Sequence, residues 1–283
     1  MLRRVLLLLM PAVLLTPASP VAADLIISSL GSTTTIDFES TLTGSNIGQF
    51  SGAGFEAGTS TSGRLDSNAW KVTGLSDGNL DFGGTGTSGD YARGTDNNSA
   101  TTAGIYAFDA TADGGSIGLG VQPAGSDFTP GSLTLRLRNE TGGNVTSFDI
   151  GYDLRVYNDQ NRANSLNFEY SFDDTNYTQV SFFDYISDEA AAGTASWNLE
   201  FSKSTTLSGL NLANGDNLYF RWVGDDVSGG GSRDQFHIDN IDIAFNAAAV
   251  PEPASLGLLL TAAGGFYLLR RKKEKGQEAE KGV

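Results

Sequence analysis

The stretch Phe148-Asp-Ile-Gly-Tyr-Asp-Leu-Arg-Val156 places an apolar side chain at every second position. Successive side chains of a β-strand point to opposite faces, so this alternation predicts a strand with one buried face. The intervening Asp149, Asp153 and Arg155 are charged and suit the opposite, hydrated face. A helix would need apolar residues every three to four positions, and this stretch lacks them.

The same alternation recurs along the chain, at Leu133, Leu135 and Leu137, at Leu166, Phe168, Tyr170 and Phe172, at Trp197, Leu199 and Phe201, and at Leu218, Phe220 and Trp222. Turn-rich segments at 139–142, 173–176 and 214–217 separate these runs. We therefore predict an all-β fold of about ten to twelve strands, a two-sheet β-sandwich with the jelly roll as the favoured topology. The glycine-rich region 44–104 predicts long loops around short strands near Trp70 and Leu80.

Composition limits the partners of this chain. Residues 24–250 contain ten Lys and Arg against twenty-nine Asp and Glu, a formal charge of −19. This charge disfavours nucleic acid and anionic lipid headgroups as partners, and leaves divalent cations and neutral glycans open. The chain has no cysteine, so no disulfide stabilises it and the fold depends on its core, with a metal as an open contribution.

The two ends of the chain carry export signals. Arg3 and Arg4 precede the apolar run 5–15, and the small residues at 21–23 predict cleavage before Asp24. The predicted organisation is a signal peptide at 1–23, one β-sandwich domain at 24–245, a short linker at 246–250 and a C-terminal segment at 251–283.

The C-terminal segment combines Val250-Pro-Glu-Pro253, an uncharged run at 254–269 and a basic tail at 270–283 that begins Arg270-Arg-Lys-Lys273. Its sixteen uncharged residues predict a transmembrane helix of about 24 Å, shorter than the ~30 Å hydrocarbon core, with the basic tail in the cytosol. This is a marginal anchor that suits a transient stay in the inner membrane. An ordinary single-span anchor is the alternative.

This order of features closely resembles the PEP-CTERM sorting signal of exopolysaccharide-producing Gram-negative bacteria, with the motif at Pro251, Glu252 and Pro253 and the basic end at Arg270 and Arg271. The resemblance implies that an exosortase removes the helix and that the protein passes to the cell surface. The residues 89–245 also look like an extracellular β-sandwich module, without assigned activity, that recurs in surface proteins with this signal.

A looser resemblance links the chain to calcium-stapled jelly rolls, the MAM-like and carbohydrate-binding modules. Those carry an acidic residue in an N-terminal Phe-Glu step and an Asp in the last strand, which Glu39 and Asp239 match here, whereas Asp242 fits less well. The resemblance implies one structural calcium between the ends of the domain. The absence of cysteine departs from MAM domains, and solvated acids on strand faces are the alternative.

Other polar and aromatic residues suggest further sites. Asp225, Asp226 and Asp234 flank a glycine-rich loop and are candidates for a second cation, with a solvated turn as the alternative. Trp70 lies in the irregular region and is the candidate for an exposed platform that stacks on a sugar ring. Trp197 and Trp222 alternate with polar residues and are expected in the core.

A catalytic site is disfavoured. The single histidine, His237, lies between Phe236 and Ile238, so alternation places it on the opposite, exposed face. No Gly-x-Ser-x-Gly elbow occurs, and no second histidine or thiol completes a usual zinc site. We therefore predict a non-enzymatic, exported extracellular-matrix protein that binds exopolysaccharide. A secreted hydrolase of polysaccharide or another matrix polymer is the alternative, since the spacing of carboxylates is unknown.

Overall fold

The computed structural model describes residues 24–42, 46–58, 61–98 and 100–248. The described chain is all-β, with three short 3₁₀ helices at Gly89–Tyr91, Thr111–Asp113 and Ser181–Phe183. Its strands are β1 (Leu25–Ile27), β2 (Thr34–Ile36), β3 (Phe55–Glu56), β4 (Leu65–Asp66), β5 (Trp70–Leu75), β6 (Gly78–Leu80), β7 (Thr95–Asp96), β8 (Gly104–Asp109), β9 (Ile117–Gln122), β10 (Gly131–Asn139), β11 (Val145–Tyr157), β12 (Arg162–Ser171), β13 (Thr178–Gln179), β14 (Tyr185–Ile186), β15 (Trp197–Leu212), β16 (Asn217–Gly229) and β17 (Gln235–Asn246).

The strands form two main sheets. Sheet A has the order β13-β12-β16-β10-β5-β6, with β1 beside β10 and β14 beside β12. Sheet B has the order β15-β11-β17-β9-β8-β7, with β2 beside β17. The short strands β3 and β4 pair with each other.

The inner faces of the two sheets share one hydrophobic core. Phe148 of sheet B contacts Phe220 of sheet A with ring centroids 5.0 Å apart, and Tyr152 contacts Trp222 at 5.7 Å. All four side chains are buried. The predicted two-sheet β-sandwich is thus confirmed, with the alternating apolar residues of β10, β11, β12 and β16 turned inward.

The long strands pair in a nested order. In sheet B, β9 pairs with β17 and β11 pairs with β15, while in sheet A β10 pairs with β16. Each pair encloses the next along the sequence, and successive strands from β9 to β12 alternate between the sheets. In sheet B, β2 also pairs with β17, so the first and last parts of the described domain are neighbours in that sheet.

A second aromatic layer covers part of the outer face of sheet B. Tyr106, Phe108 and Trp197 stack there, with Phe108 and Trp197 centroids 4.8 Å apart. His237 points to this outer face, as alternation predicts, but its ring stacks on Trp197 at 4.8 Å and is only 1% exposed. The prediction of an exposed histidine is wrong because the aromatic layer covers it. Burial lowers the pKa of His237 to about 3, so this side chain is neutral over the physiological range.

Three aromatic or apolar positions differ from the sequence-based prediction. Trp70 is completely buried, since β5 joins sheet A and turns Trp70 toward Phe38 and Trp222. Phe172 lies just beyond the end of β12 and is 45% exposed. Leu199 is also exposed, because a register shift in β15 pairs Phe201 with Leu154 and Leu199 with Arg155, on opposite faces.

Arg136 is better enclosed than its place on the outer face of sheet A suggests. Its guanidinium pairs with the buried Asp24 at 2.5 Å and donates to the Asn68 carbonyl at 2.7 Å. It also lies over the Phe82 ring, 4.4 Å from the centroid. The outer face of sheet A therefore carries a layer of paired charges and rings.

The predicted signal peptide, the helix 254–269 and the sorting residues Pro251, Glu252, Pro253, Arg270 and Arg271 lie outside the described residues. Of the predicted linker 246–250, Asn246 is the last residue of β17. Within the described ranges, no helix has the length and apolar character needed to cross a bilayer.

Candidate functional site

An acidic cluster lies on the outer face of sheet B, at a bulge in β17. Gly151 of β11 pairs with Asp242, whereas Asp153 pairs with Asp239, so β17 has one extra residue. Asn240 occupies the bulge with a φ of 49°, a conformation that asparagine tolerates better than most residues. The bulge sets two carboxylates, Asp153 and Asp239, directly opposite each other. Such like-charge pairs are destabilising unless they are neutralised.

Asp239 is almost fully buried in this cluster. Its Oδ2 accepts hydrogen bonds from the Ser116 hydroxyl and from Asn240 Nδ2. Its Oδ1 is buried and has no hydrogen-bond partner. Burial, together with the negative charges of Glu39 and Asp153, raises the pKa of Asp239 to about 6.

The residues of this cluster fit a hard cation. Glu39 reaches it from the segment after β2, where its Oε1 accepts from the Ile117 amide at 3.0 Å. Glu39, Asp153 and Asp239 offer oxygen ligands, and the unpartnered Oδ1 of Asp239 is the atom that a calcium ion would satisfy. Within the described ranges, no group of three or more acidic, histidine or cysteine side chains is placed to hold a metal ion, so a calcium ion here would take most of its ligands from backbone, hydroxyl or water oxygens.

Asp242 lies apart from this cluster. It accepts from the Thr35 hydroxyl at 2.5 Å on the exposed side of β17. The bulge therefore separates the two aspartates of the Ile238-Asp-Asn-Ile-Asp242 segment into different environments.

The second candidate set, Asp225, Asp226 and Asp234, is divided among other partners. Asp226 receives two hydrogen bonds of 2.6 Å from Arg162, and Arg233 lies 3.4 Å from it. Asp225 is exposed and caps the Asp226 amide at 2.8 Å. The buried Asp234 accepts from Ser187 and from the Gln160 amide. Guanidinium groups thus already neutralise Asp226, and the geometry does not favour a cation there.

An open cleft of about 390 Å³ lies where β12 ends and β15 turns into β16; we call it the aromatic cleft. It is lined by Phe172, Asn211, Leu212, Gly215, Asp216, Asn217 and Tyr219. The Asn217 Oδ1 is buried without a hydrogen-bond partner. Asp216 is exposed beside it. The aromatic cleft therefore combines aromatic rings with a carboxylate and amides, which is the composition of a small-ligand site.

The aromatic surface continues from this cleft across sheet A. Tyr219 contacts Phe82 with centroids 5.9 Å apart, and the Arg136 guanidinium lies 4.4 Å from the Phe82 centroid. Farther along, Arg221 lies over the Tyr177 ring, 3.3 Å from its centroid. A ligand in the aromatic cleft could therefore extend over a row of rings and hydrogen-bonding groups.

The sequence predicted Trp70 as the exposed aromatic platform for a sugar ring, whereas the exposed ring in the aromatic cleft is that of Phe172. Phe172 continues the alternation of Leu166, Phe168 and Tyr170, and so reads as core. The signal that could have found it is the turn that follows directly, because Asp173 accepts from the Thr175 and Asn176 amides and ends the strand. A residue at such a strand end can lie beyond the opposite sheet.

The fold and its two clusters define the chain as an all-β sandwich with an acidic site on one face and an aromatic cleft at one end. No family model matches it, and no curated protein matches it. Among solved structures, the K2 cleaved adhesin domain of Lys-gingipain is similar to it at 14% identity and a TM-score of 0.34, covering 77% of this chain and 99% of that one.

Two carbohydrate-binding structures are also similar. A module specific for non-crystalline cellulose has 12% identity and a TM-score of 0.31, covering 52% of this chain and 81% of that one. The N-terminal cellulose-binding domain of Cellulomonas fimi β-1,4-glucanase C has 11% identity and a TM-score of 0.29, covering 64% and 91%. Because these TM-scores are low, the function is inferred from the residues of this chain.

Proposed function

We propose that this chain is a non-enzymatic cell-surface protein that binds a neutral polysaccharide of the extracellular matrix through its aromatic cleft. The observation that carries the proposal is the exposure of Phe172 in a cleft that also holds Tyr219, Asp216 and Asn217. An aromatic ring offers its face to the C–H side of a sugar. The neighbouring carboxylate and amide accept and donate hydrogen bonds to hydroxyl groups.

Charge favours a neutral polymer. The described residues that line the aromatic cleft include Asp216 and no lysine or arginine. The formal charge of −19 over residues 24–250 repels polyanions at low ionic strength. An uncharged exopolysaccharide is therefore the better ligand class.

The proposal includes one structural calcium held by Glu39 and Asp239, with Asp153 beside them. In a domain without disulfides, this ion would tie the segment after β2 to β17. The nested pairing of β9 with β17 and β10 with β16 favours the jelly-roll form of the sandwich, in which the chain ends meet. A cation at that place would stabilise the folded state alone.

Export completes the proposal. Signal-peptide cleavage would release the chain through the inner membrane, and an exosortase acting on the Pro251-Glu-Pro253 signal would pass it to the surface. The protein would then meet the exopolysaccharide outside the cell, as the sorting signal predicts.

Retention on polysaccharide tests the binding. The full-length chain is passed over immobilised neutral polymers (β-glucan, galactan, dextran) and over the exopolysaccharide of the source bacterium. We expect retention that Phe172→Ala lowers at least about tenfold, because removing one aromatic contact costs ~1.4 kcal/mol or more. Phe182→Ala is the matched control, since Phe182 is 50% exposed outside the aromatic cleft. Equal loss in both variants, or retention on none of the polymers, would refute the proposal, and released reducing ends would favour a hydrolase.

Calcium-dependent stability tests the metal. Calcium should raise the melting temperature of the full-length chain above that in sodium at matched ionic strength, and above that in magnesium, which tolerates irregular oxygen cages poorly. At a hundredfold excess over the dissociation constant the gain is about 2.7 kcal/mol. Asp239→Asn should abolish this response, whereas the exposed Asp242→Asn should keep it. If calcium raised the melting temperature of Asp239→Asn as much as that of the wild type, the proposal that Asp239 binds calcium would be refuted.

A further inference from the structure

A second cleft of about 380 Å³ lies at another end of the sandwich; we call it the loop cleft. It is formed by the β7–β8, β9–β10, β11–β12 and β16–β17 connections. The residues that line it are mostly small or uncharged, namely Asn98, Ala100, Thr101, Gln122, Pro123, Ala124, Gly125, Asp159, Gln160, Gly231 and Ser232. Its volume is within the ~300–1,000 Å³ typical of ligand sites.

The two clefts lie at opposite ends of the same pair of strands. β12 begins at Arg162, next to the loop cleft, and ends at Ser171, next to Phe172 of the aromatic cleft. The antiparallel β16 runs the other way, from Asn217 to Gly229. At about 3.3 Å per residue, thirteen residues of strand separate the two ends by roughly 40 Å.

The loop cleft contains one buried hydrogen-bonding atom that lacks a partner, together with other polar groups. The Oδ1 atom of Asp159 is buried and accepts no hydrogen bond within the described chain. Amides of Asn98 and Gln160 and hydroxyls of Thr101 and Ser232 surround the same space. The described lining residues include no lysine or arginine, so an anion would find no counter-charge. A ligand that brings hydroxyl donors and no negative charge matches this lining.

The walls of the loop cleft are fixed by buried hydrogen bonds. Gln122 Nε2 donates to the Arg233 carbonyl at 2.9 Å and joins the end of β9 to the β16–β17 loop. Asp234 accepts from the Gln160 amide at 3.1 Å, and its carbonyl accepts from Asn164 Nδ2 at 3.1 Å. The site is thus largely formed in advance, which limits the entropy lost on binding.

We propose that the loop cleft is a second neutral-glycan site, so that one chain holds two polymer strands, one at each end of the sandwich. The inference rests on the proposed function for the aromatic cleft and extends it from binding to bridging. A rigid body with two sites about 40 Å apart cross-links flexible polymers without needing to oligomerise.

Gly125 allows the loop cleft to be filled without removing a native contact. A Cβ built at Gly125 meets no atom within 4 Å, and its φ lies outside the left-handed region, so Gly125→Trp can project into the space. Gly193 has the same properties and is not among the lining residues of either cleft, so Gly193→Trp is the matched control. Asp159→Asn is a second, conservative variant that removes the charge of the unpartnered acceptor. Melting temperatures confirm that each variant folds.

Stoichiometry with short ligands separates the two sites. The full-length chain is titrated calorimetrically with trisaccharides from partial hydrolysis of the retained polymer, or of the same four polymers if none is retained. We expect two ligands per chain for the wild type and Gly193→Trp, one for Gly125→Trp or Phe172→Ala, and none for the double variant. Asp159→Asn should weaken one of the two sites about tenfold, which corresponds to ~1.4 kcal/mol.

Cross-linking gives the second readout. The wild type and Gly193→Trp should raise the viscosity of a dilute solution of the polymer, whereas Gly125→Trp and Phe172→Ala should leave it at the value of polymer alone. If the wild type bound one ligand per chain and Gly125→Trp bound the same number, the second site would be overturned while the proposed function stands. An unchanged stoichiometry in Phe172→Ala would instead refute the proposed function, and any wild-type stoichiometry of one refutes bridging.

Discussion

Asp234 should make the stability of the protein depend on pH. Its side chain is fully buried between the β11–β12 and β16–β17 loops, where it accepts hydrogen bonds from Ser187 Oγ at 2.8 Å and the Gln160 amide at 3.1 Å. Burial raises its pKa to about 6 from the usual 3.8, and the nearby charge of Asp159 acts in the same direction. These hydrogen bonds lower the pKa of Asp234, but they offset only part of the rise that burial causes.

Asp234 binds its proton more tightly in the folded chain than in the unfolded chain. Between about pH 3.8 and 6 the folded chain holds the Asp234 proton while the unfolded chain has lost it. The free energy of unfolding therefore falls as pH rises through this window and stays low above it. A difference of about two pKa units corresponds to ~3 kcal/mol. Asp234→Asn cannot ionise, so this fall should disappear from the variant.

Denaturant unfolding of the full-length chain at intervals from pH 4 to pH 8 measures the effect. The wild type minus Asp234→Asn difference isolates this group, because Asp239 and the other buried acids titrate in both proteins. Ser187→Ala removes a donor that favours the charged form, so it should extend the fall to higher pH. Parallel pH profiles in the wild type and Asp234→Asn would refute the reasoning.

Three further predictions concern the core, the paired outer face and processing. Leu135→Ala should lower the free energy of unfolding by about 2–5 kcal/mol, because this completely buried side chain leaves a cavity, and denaturant unfolding measures it. Arg136→Ala should also cost at least ~1–3 kcal/mol by leaving the buried Asp24 without its partner, and a negligible change would show that the ion pair is unimportant. Intact-mass analysis of the surface protein should find a chain from Asp24 to the segment 251–253, and recovery of residues 270–283 would contradict the processing.

The sequence predicted the strands that lie across the middle of the sandwich. Leu133, Leu135 and Leu137 all face the core, as do Phe148 to Val156 at alternate positions. Apolar alternation predicts the buried residues of these strands correctly, because the opposite sheet covers the whole inner face of each strand. Trp70 could also have been placed, since Trp70-Lys-Val72 alternates in the same way once the glycine-rich context is set aside.

The remaining positions depend on contacts between distant parts of the chain. A one-residue bulge at Asn240 shifts the residues of β17 that face the core from Phe236 and Ile238 to Ile241 and Ile243. The three-residue spacing between Ile238 and Ile241 is the sequence signal of this bulge, but it does not show that Asp153 lies opposite Asp239. His237 is buried by contacts with Trp197 of β15 and Phe108 of β8, which lie forty or more positions away in the sequence. The closeness of Glu39 and Asp239 came from a resemblance, whereas the two clefts, made by loop ends, had no periodic signal.

The position of β17 constrains when the chain can fold. This last strand lies inside sheet B, between β11 and β9, where Ile238 pairs with Leu119 and with Leu154. Until residues 235–246 have emerged from the ribosome, β9 and β11 lack the strand that joins them. Domains with such distant pairings fold slowly. The nested topology therefore delays closure of the sandwich until nearly all of the described domain has been synthesised.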